Sequence, residues 1–273
     1  MSVNTKVYRH PLANSFYLRG FFEGARGTFI KVIGNFMENP EYIYHYTSVE
    51  TLALILKYRK IRFNSISNVD DLSESNADDI GQIGSLLLLS CWTSEKDENI
   101  AFWNMYGKKG SGVRIKMRPT LFSTDIFEKS DNYRSPSSNM DILWPINFLF
   151  PVRYTEQVKR TVIGFEDKGF DIAELGKFKE KIWAFQNEWR FIIYQFPGKN
   201  SIKHIIDLKT IDGLSFKFKH YDMCIKDEEF YNMEILLGPS TSESEKIIVE
   251  SLLNIYNPNA KLKISALKDK VKL

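Results

Sequence analysis

The feature that most limits how this chain can fold is a succession of short apolar runs, strand-like and helix-like, that follow one another without strict alternation. Runs such as YIYHYT (42–47), IRFNS (61–65), LLLLSCWT (86–93), GVRIKM (112–117), FPVRYT (150–155) and NEWRFIIYQF (187–196) are rich in β-branched and aromatic residues and read as strands. LALILKY (52–58), NIAFWNMYG (99–107), a stretch around 171–185 and SESEKIIVESLLNIY (242–256) read as helices, and MEILLG (233–238) and KLKISAL (261–267) return to strand character. A doubly wound parallel sheet needs regular strand–helix–strand units. Their absence predicts an α+β fold around a mostly antiparallel or mixed sheet with flanking helices.

Asn39-Pro40 marks a break. Residues 42–273 are expected to form the main domain, which suits a chain of 273 residues, since single domains of roughly 250 residues are ordinary. Residues 1–41 are expected to form an N-terminal helical extension, because Phe16, Phe21, Phe22, Phe29, Val32, Ile33 and Phe36 recur at roughly helical spacing. With 20 Phe, 13 Tyr and 5 Trp, there is ample material for a core, which argues against long disordered stretches.

Cys91 and Cys224 lie far apart and in no metal-ligand spacing, so the sequence signals neither a disulfide framework nor a zinc site, and no metal is expected. No apolar leader and no span of ~20 apolar residues is present, which predicts a cytoplasmic protein without a membrane partner. A net charge of +3 is too mild to imply nucleic acid. The lysines at 261, 263, 268, 270 and 272 read as a solvated edge strand in preference to a nucleic-acid stripe. The acidic stretch Asp70, Asp71, Glu74, Asp78, Asp79 lacks the spacing of a calcium loop and reads as solvated surface or as a helix-start patch.

Polar side chains within apolar strands are the informative exceptions, because burying an unsatisfied polar group costs about 2 kcal/mol or more. Period two puts His45 and Thr47 on one strand face, and Gln186, Glu188 and Arg190 on one face of another. Trp103 and Tyr106, three apart, share a helix face. A carboxylate, an imidazole, an amide and aromatic rings suit a ligand that combines sugar hydroxyls, a pyrophosphate and a flat ring. Each residue alone also has a structural reading: a core histidine, a Glu188–Arg190 pair at a strand edge, and core aromatics.

In combination, YHYTS (44–48), IRFNS (61–65), DDLSE (70–74), LSCWTSEKDENIAFWNMYG (89–107), QNEWR (186–190) and LLGPS (236–240) resemble a bacterial family known only as a domain of unknown function. The pattern covers roughly residues 42–240 and departs from that family at Asp70 and Leu72, in place of asparagine and proline, and at Gln186, in place of glutamate. That family is itself similar to the His-Tyr-Glu branch of the ADP-ribosyltransferase superfamily, which implies a split sheet. By this likeness His45, helped by Thr47, would hold the adenine-side ribose of NAD, Trp92 and Tyr106 would flank the nicotinamide, and Glu188 would be catalytic. Gln186 would help orient the acceptor, and Arg190 would either keep Glu188 ionised or contact a phosphate.

The resemblance implies NAD as substrate and transfer of ADP-ribose to a macromolecular acceptor, protein or nucleic acid, with NAD hydrolysis as a variant and a toxin or phage-defence effector as the setting. The alternative is a catalytically silent module that binds nucleotide or nucleic acid.

Overall fold

The computed structural model describes residues 39–78, 80–122, 149–156, 175–195, 197, 204–205, 208 and 210–273, together with the backbone of 6–9, 16–19, 30–32, 141–148 and 196. Nine strands form one sheet: β1 (Ile43–Thr47), β2 (Lys60–Ser65), β3 (Leu87–Thr93), β4 (Val113–Met117), β5 (Asp141–Pro151), β6 (Glu188–Pro197), β7 (His220–Cys224), β8 (Glu234–Leu237) and β9 (Lys261–Ile264). The main path runs β5-β6-β3-β1-β4-β8-β9, with β2 attached to β3 and carrying β7. Within this sheet, among the described residues, only β8 and β9 pair in parallel; its other ladders are antiparallel. This is an α+β architecture built on a mixed, mostly antiparallel sheet.

Local sequence explains the elements that frame the sheet. In β2, Ile61 and Phe63 turn inward while Lys60, Arg62 and Asn64 are exposed, the alternation of a strand with one covered face. α1 (Val49–Tyr58) starts at Ser48, whose hydroxyl accepts the Thr51 amide, and stops where Arg59 turns left-handed at φ 53°. α2 (Ile100–Met105) is capped by Asn99, which accepts the amides of Ala101 and Phe102. The short α3 (Asp227–Tyr231) follows β7. α4 (Glu243–Tyr256) opens with a reciprocal capping box between Ser242 and Glu245.

α1 and α4 cover one face of the sheet. Leu52, Ile55, Leu56, Val249 and Leu253 pack there on Ile43, Ile115, Ile235, Trp92, Trp189 and Phe191. The other face carries a second cluster that includes Leu87, Leu89, Phe150, Ile192 and Tyr194. Tyr46, Phe102, Trp103 and Leu236 form a third, under α2. Among the described residues no helix is long and apolar enough to cross a membrane. The lysines at 261, 263, 268, 270 and 272 are exposed on and after β9, an edge strand, and Lys263 bridges to Glu234 at 2.8 Å.

Three expectations change. Within residues 1–38 the described positions form a three-stranded antiparallel sheet (Lys6–Arg9, Phe16–Arg19, Ile30–Val32) in place of helix, residues 39–41 are in neither helix nor strand, and the rest of the expected helical extension lies outside the described residues. The helical run around 171–185 is, where described, a strand (Phe178–Glu180) paired in parallel with Arg153–Thr155, followed by a 3-10 helix (Lys181–Gln186). Gln186 therefore stands on that helix and not on β6, because Asn187 adopts a left-handed φ of 39° and the strand begins only at Glu188.

One topological detail sets up the site. Along its whole length β3 pairs with β6, but its other edge is shared. β2 takes Leu88 and Leu89, β1 takes Thr93, and Ser90 to Trp92 have no partner strand on that side among the described residues. The sheet is split between β1 and β2.

Candidate functional site

A cavity of about 210 Å³ occupies the split. Its wall is built from β1 (Tyr44, His45, Tyr46), β2 (Arg62, Asn64), the unpaired stretch of β3, α2 with Tyr106 after it, and Lys179, Gln186 and Glu188 from the 178–188 segment. Asn68 and Asp70, on the loop after β2, complete the wall.

His45, Trp92, Tyr106, Gln186 and Glu188 thus line one space, as do none of Thr47, Trp103 and Arg190. The register shows how His45 and Glu188 reach it. Residues opposite one another in an antiparallel ladder share a face. Tyr44 pairs Thr93 and Thr93 pairs Glu188, which puts these three together. His45 pairs Ile115, and Ile115 pairs Ile235, so it belongs to the face covered by α1 and α4. His45 and Glu188 meet the same cavity from opposite faces of the sheet, through the split.

His45 also caps the open edge. Its Nδ1 lies 2.9 Å from the carbonyl oxygen of Cys91. A carbonyl only accepts, so Nδ1 carries the proton and Nε2 of the neutral ring is left as an acceptor. Burial lowers the imidazole pKa, which outweighs the opposing effect of the Cys91 carbonyl and keeps the ring neutral. The indole of Trp92 packs beside it at 5.2 Å between centroids and donates from Nε1 to Ser90 Oγ at 2.9 Å.

On the other side, Glu188 belongs to a buried quartet of charges. Arg190, fully buried, donates to Glu188 from Nε (2.6 Å) and Nη2 (2.9 Å), to both oxygens of Glu74 from Nη1 and Nη2, and from Nη1 to the carbonyl of Gly176 at 2.9 Å. All five guanidinium hydrogens are thereby used. Lys179, 2% exposed, bonds Gln186 Oε1 at 2.8 Å and Glu188 Oε2 at 3.3 Å and lies 3.5 Å from Glu74 Oε1. Two cations face two carboxylates.

The electrostatics follow from that balance. Burial would raise the Glu188 carboxyl, but Arg190 and then Lys179 outweigh it and hold the group down at about 2. Beside it the Cys91 thiol is pushed well up, by burial first and the Glu188 charge second, which leaves it a poor nucleophile.

A second set of bonds locks the loop to the site. The Tyr106 hydroxyl donates to Asp70 Oδ2, and Gln186 Nε2 donates to Tyr106 at 2.8 Å and to Asp70 Oδ2 at 3.2 Å. Burial and then the Asp70 bond raise the Tyr106 hydroxyl well above its ordinary range, so it stays a donor. Asp70, Tyr106, Gln186, Lys179, Glu188, Arg190 and Glu74 form one continuous polar chain.

Several expectations are corrected here. Trp103, on the inner side of α2, is fully buried, packs on Tyr46 at 4.8 Å and donates to Glu98 at 3.0 Å, so it belongs to the core. Thr47 is buried off the cavity wall. Arg190 has no hydrogen left for a phosphate and serves Glu188 instead. Of the two readings of the acidic stretch, solvated surface fails at Glu74, 2% exposed, and at Asp71, also buried, whereas a helix start fits Asp71, which caps the turn at Leu72–Ser75. Lys179 and Glu74 were missed. Nothing local marks them, since each stands within a run of charged residues (DDLSE, 70–74, and KFKEK, 177–181), and their partners stand up to 116 residues away.

The chain matches no protein-family model, no curated protein and no solved structure.

Proposed function

We propose that the chain is an NAD-consuming enzyme of the ADP-ribosyltransferase type, whose cavity takes the nicotinamide-ribose end of NAD and passes ADP-ribose to a macromolecular acceptor. The observation that carries this reading is an ionised Glu188 at a cavity wall that also presents a neutral His45, a tyrosine hydroxyl and aromatic edges. Cleaving the bond from ribose to nicotinamide develops positive charge on the sugar, and a fixed carboxylate beside a ribose hydroxyl stabilises that charge. Arg190 and Lys179 keep Glu188 charged and in place, so the group needs no reorganisation when the bond breaks. His45 Nε2 accepts from a sugar hydroxyl. Tyr44, Trp92 and Tyr106 supply apolar surface for the flat ring.

An acceptor larger than water is supported by apolar side chains next to the cavity. Ile182 and Phe185, on the 3-10 helix that ends at Gln186, are 77% and 42% exposed, and Leu72 projects from the loop that Asp70 anchors. Gln186 is engaged by Lys179, Tyr106 and Asp70, so its role in this reading is to fix the rim.

A second reading, a nucleotide-binding module without turnover, is favoured by one specific observation: Arg190 and Lys179 engage both Glu188 oxygens, as in a purely structural ion pair. Nicotinamide release from labelled NAD, by the purified chain with cell extract, separates the two. Release is expected, together with label on protein or nucleic acid. Saturable NAD binding without release would establish the silent module.

A further inference from the structure

The cavity wall holds four charged side chains, Arg62, Asp70, Lys179 and Glu188, and their hydrogen bonds decide which of them can meet a phosphate. Lys179 has three ammonium hydrogens and three oxygens around it, from Gln186, Glu188 and Glu74. Behind the wall, Arg190 is saturated as well. Among the described residues the interior therefore offers acceptors and no spare cation.

Arg62 differs. It stands on the exposed face of β2, half accessible, and forks Asp222 of β7 through Nε (2.7 Å) and one Nη2 hydrogen (2.9 Å). The second Nη2 hydrogen and both on Nη1 have no partner among the described residues. Asp222 fixes the guanidinium from behind while three donors stay available in front. Because β2 pairs β3 at Asn64↔Leu89, Arg62 shares the sheet face of Cys91 and Glu188, so a ligand with its sugar at Glu188 can run towards it along one surface.

We propose that Arg62 is the phosphate-recognising residue of this cavity, and that it selects a phosphorylated glycoside over the bare glycoside, with Asp222 as its positioning partner. The proposal rests on the glycoside reading of the site above, and its test keeps the two apart. Arg62 lies on the surface, so its substitution leaves the core intact.

Titration calorimetry of the full chain would compare nicotinamide mononucleotide, nicotinamide riboside and inorganic pyrophosphate, the first two differing by one phosphate. In the wild type the mononucleotide should bind at least about tenfold more tightly than the riboside, a margin that shrinks with added salt. Arg62→Gln should remove that margin, leave riboside affinity within about twofold and abolish pyrophosphate binding. Asp222→Asn should retain part of the margin, since the guanidinium survives but loses its brace. An unchanged margin in Arg62→Gln, an equal loss for both glycosides, or no preference for phosphate in the wild type would each overturn the proposal. Pyrophosphate binding that depends on Arg62 while neither glycoside binds would keep Arg62 as the anion site and overturn the glycoside reading instead.

Discussion

Glu188 illustrates how a site residue and a structural residue become one at the level of single side chains. Its charge is half of what balances Arg190 and Lys179, both almost wholly buried. Glu188→Gln keeps the shape but leaves two buried cations against Glu74 alone, and removing one partner of a buried pair costs about 3–5 kcal/mol. We therefore expect this substitution to lower the midpoint of urea unfolding clearly, and Lys179→Met added to it to recover part of the loss by restoring charge balance. A double-mutant cycle measures that coupling. If the single variant is as stable as wild type, the quartet is not carrying the fold. Acid acts on the same group. Its folded pKa, about 2, lies below the ordinary 4.5, so its contribution is complete above that ordinary value and is lost as pH falls through the interval towards 2. Stability measured against pH should decline in that window in the wild type, and this part of the decline should be absent in the Glu188→Gln, Lys179→Met double variant.

At the scale of elements, the loop after β2, α2 and the 178–188 segment are joined by the Asp70–Tyr106–Gln186 bonds, with Phe102 and Phe185 facing each other at 6.4 Å between centroids. Tyr106→Phe removes the hydroxyl at the centre. Loss of a bond to a charged group is worth about 1.5–3 kcal/mol, and here it should loosen the loop locally, so hydrogen exchange at 68–75 should quicken while β3 and β6 stay protected. Uniform exchange in both proteins would show that the loop is held by other contacts. The elements themselves were largely legible, since the apolar run of β3, the alternation of β2 and the Ser242/Glu245 capping box are local signals. Lys179 was not. Its three-residue strand exists because Arg153–Thr155 lies alongside, a pairing that no local pattern encodes. Period two correctly grouped Glu188 with Arg190, yet it had no means of relating that face to the face of His45. That relation depends on the register through Thr93, which only the assembled sheet supplies.

For the molecule as a whole, the split means that the two strands flanking the cavity are held together by little direct pairing. β1 continues into β4, β8 and β9, β2 into β7, and the two groups meet mainly through β3. Across the gap His45 bonds the Cys91 carbonyl and packs beside Trp92, side-chain contacts in place of a ladder. A ligand seated between Arg62 and Glu188 with its sugar at His45 would touch both groups, and so would stabilise their association as well as occupying space. Linkage sets the scale: a ligand that binds only the folded state adds about 2.7 kcal/mol at a hundred times its dissociation constant. With NAD or nicotinamide mononucleotide in such excess, the thermal midpoint should rise and amide exchange should slow in β1 and β2 together, while the β9 edge, remote from the split along the strand order, should exchange as before. Protection confined to one of the two strands would place the ligand on one side of the split and remove His45 and Arg62 from a common site.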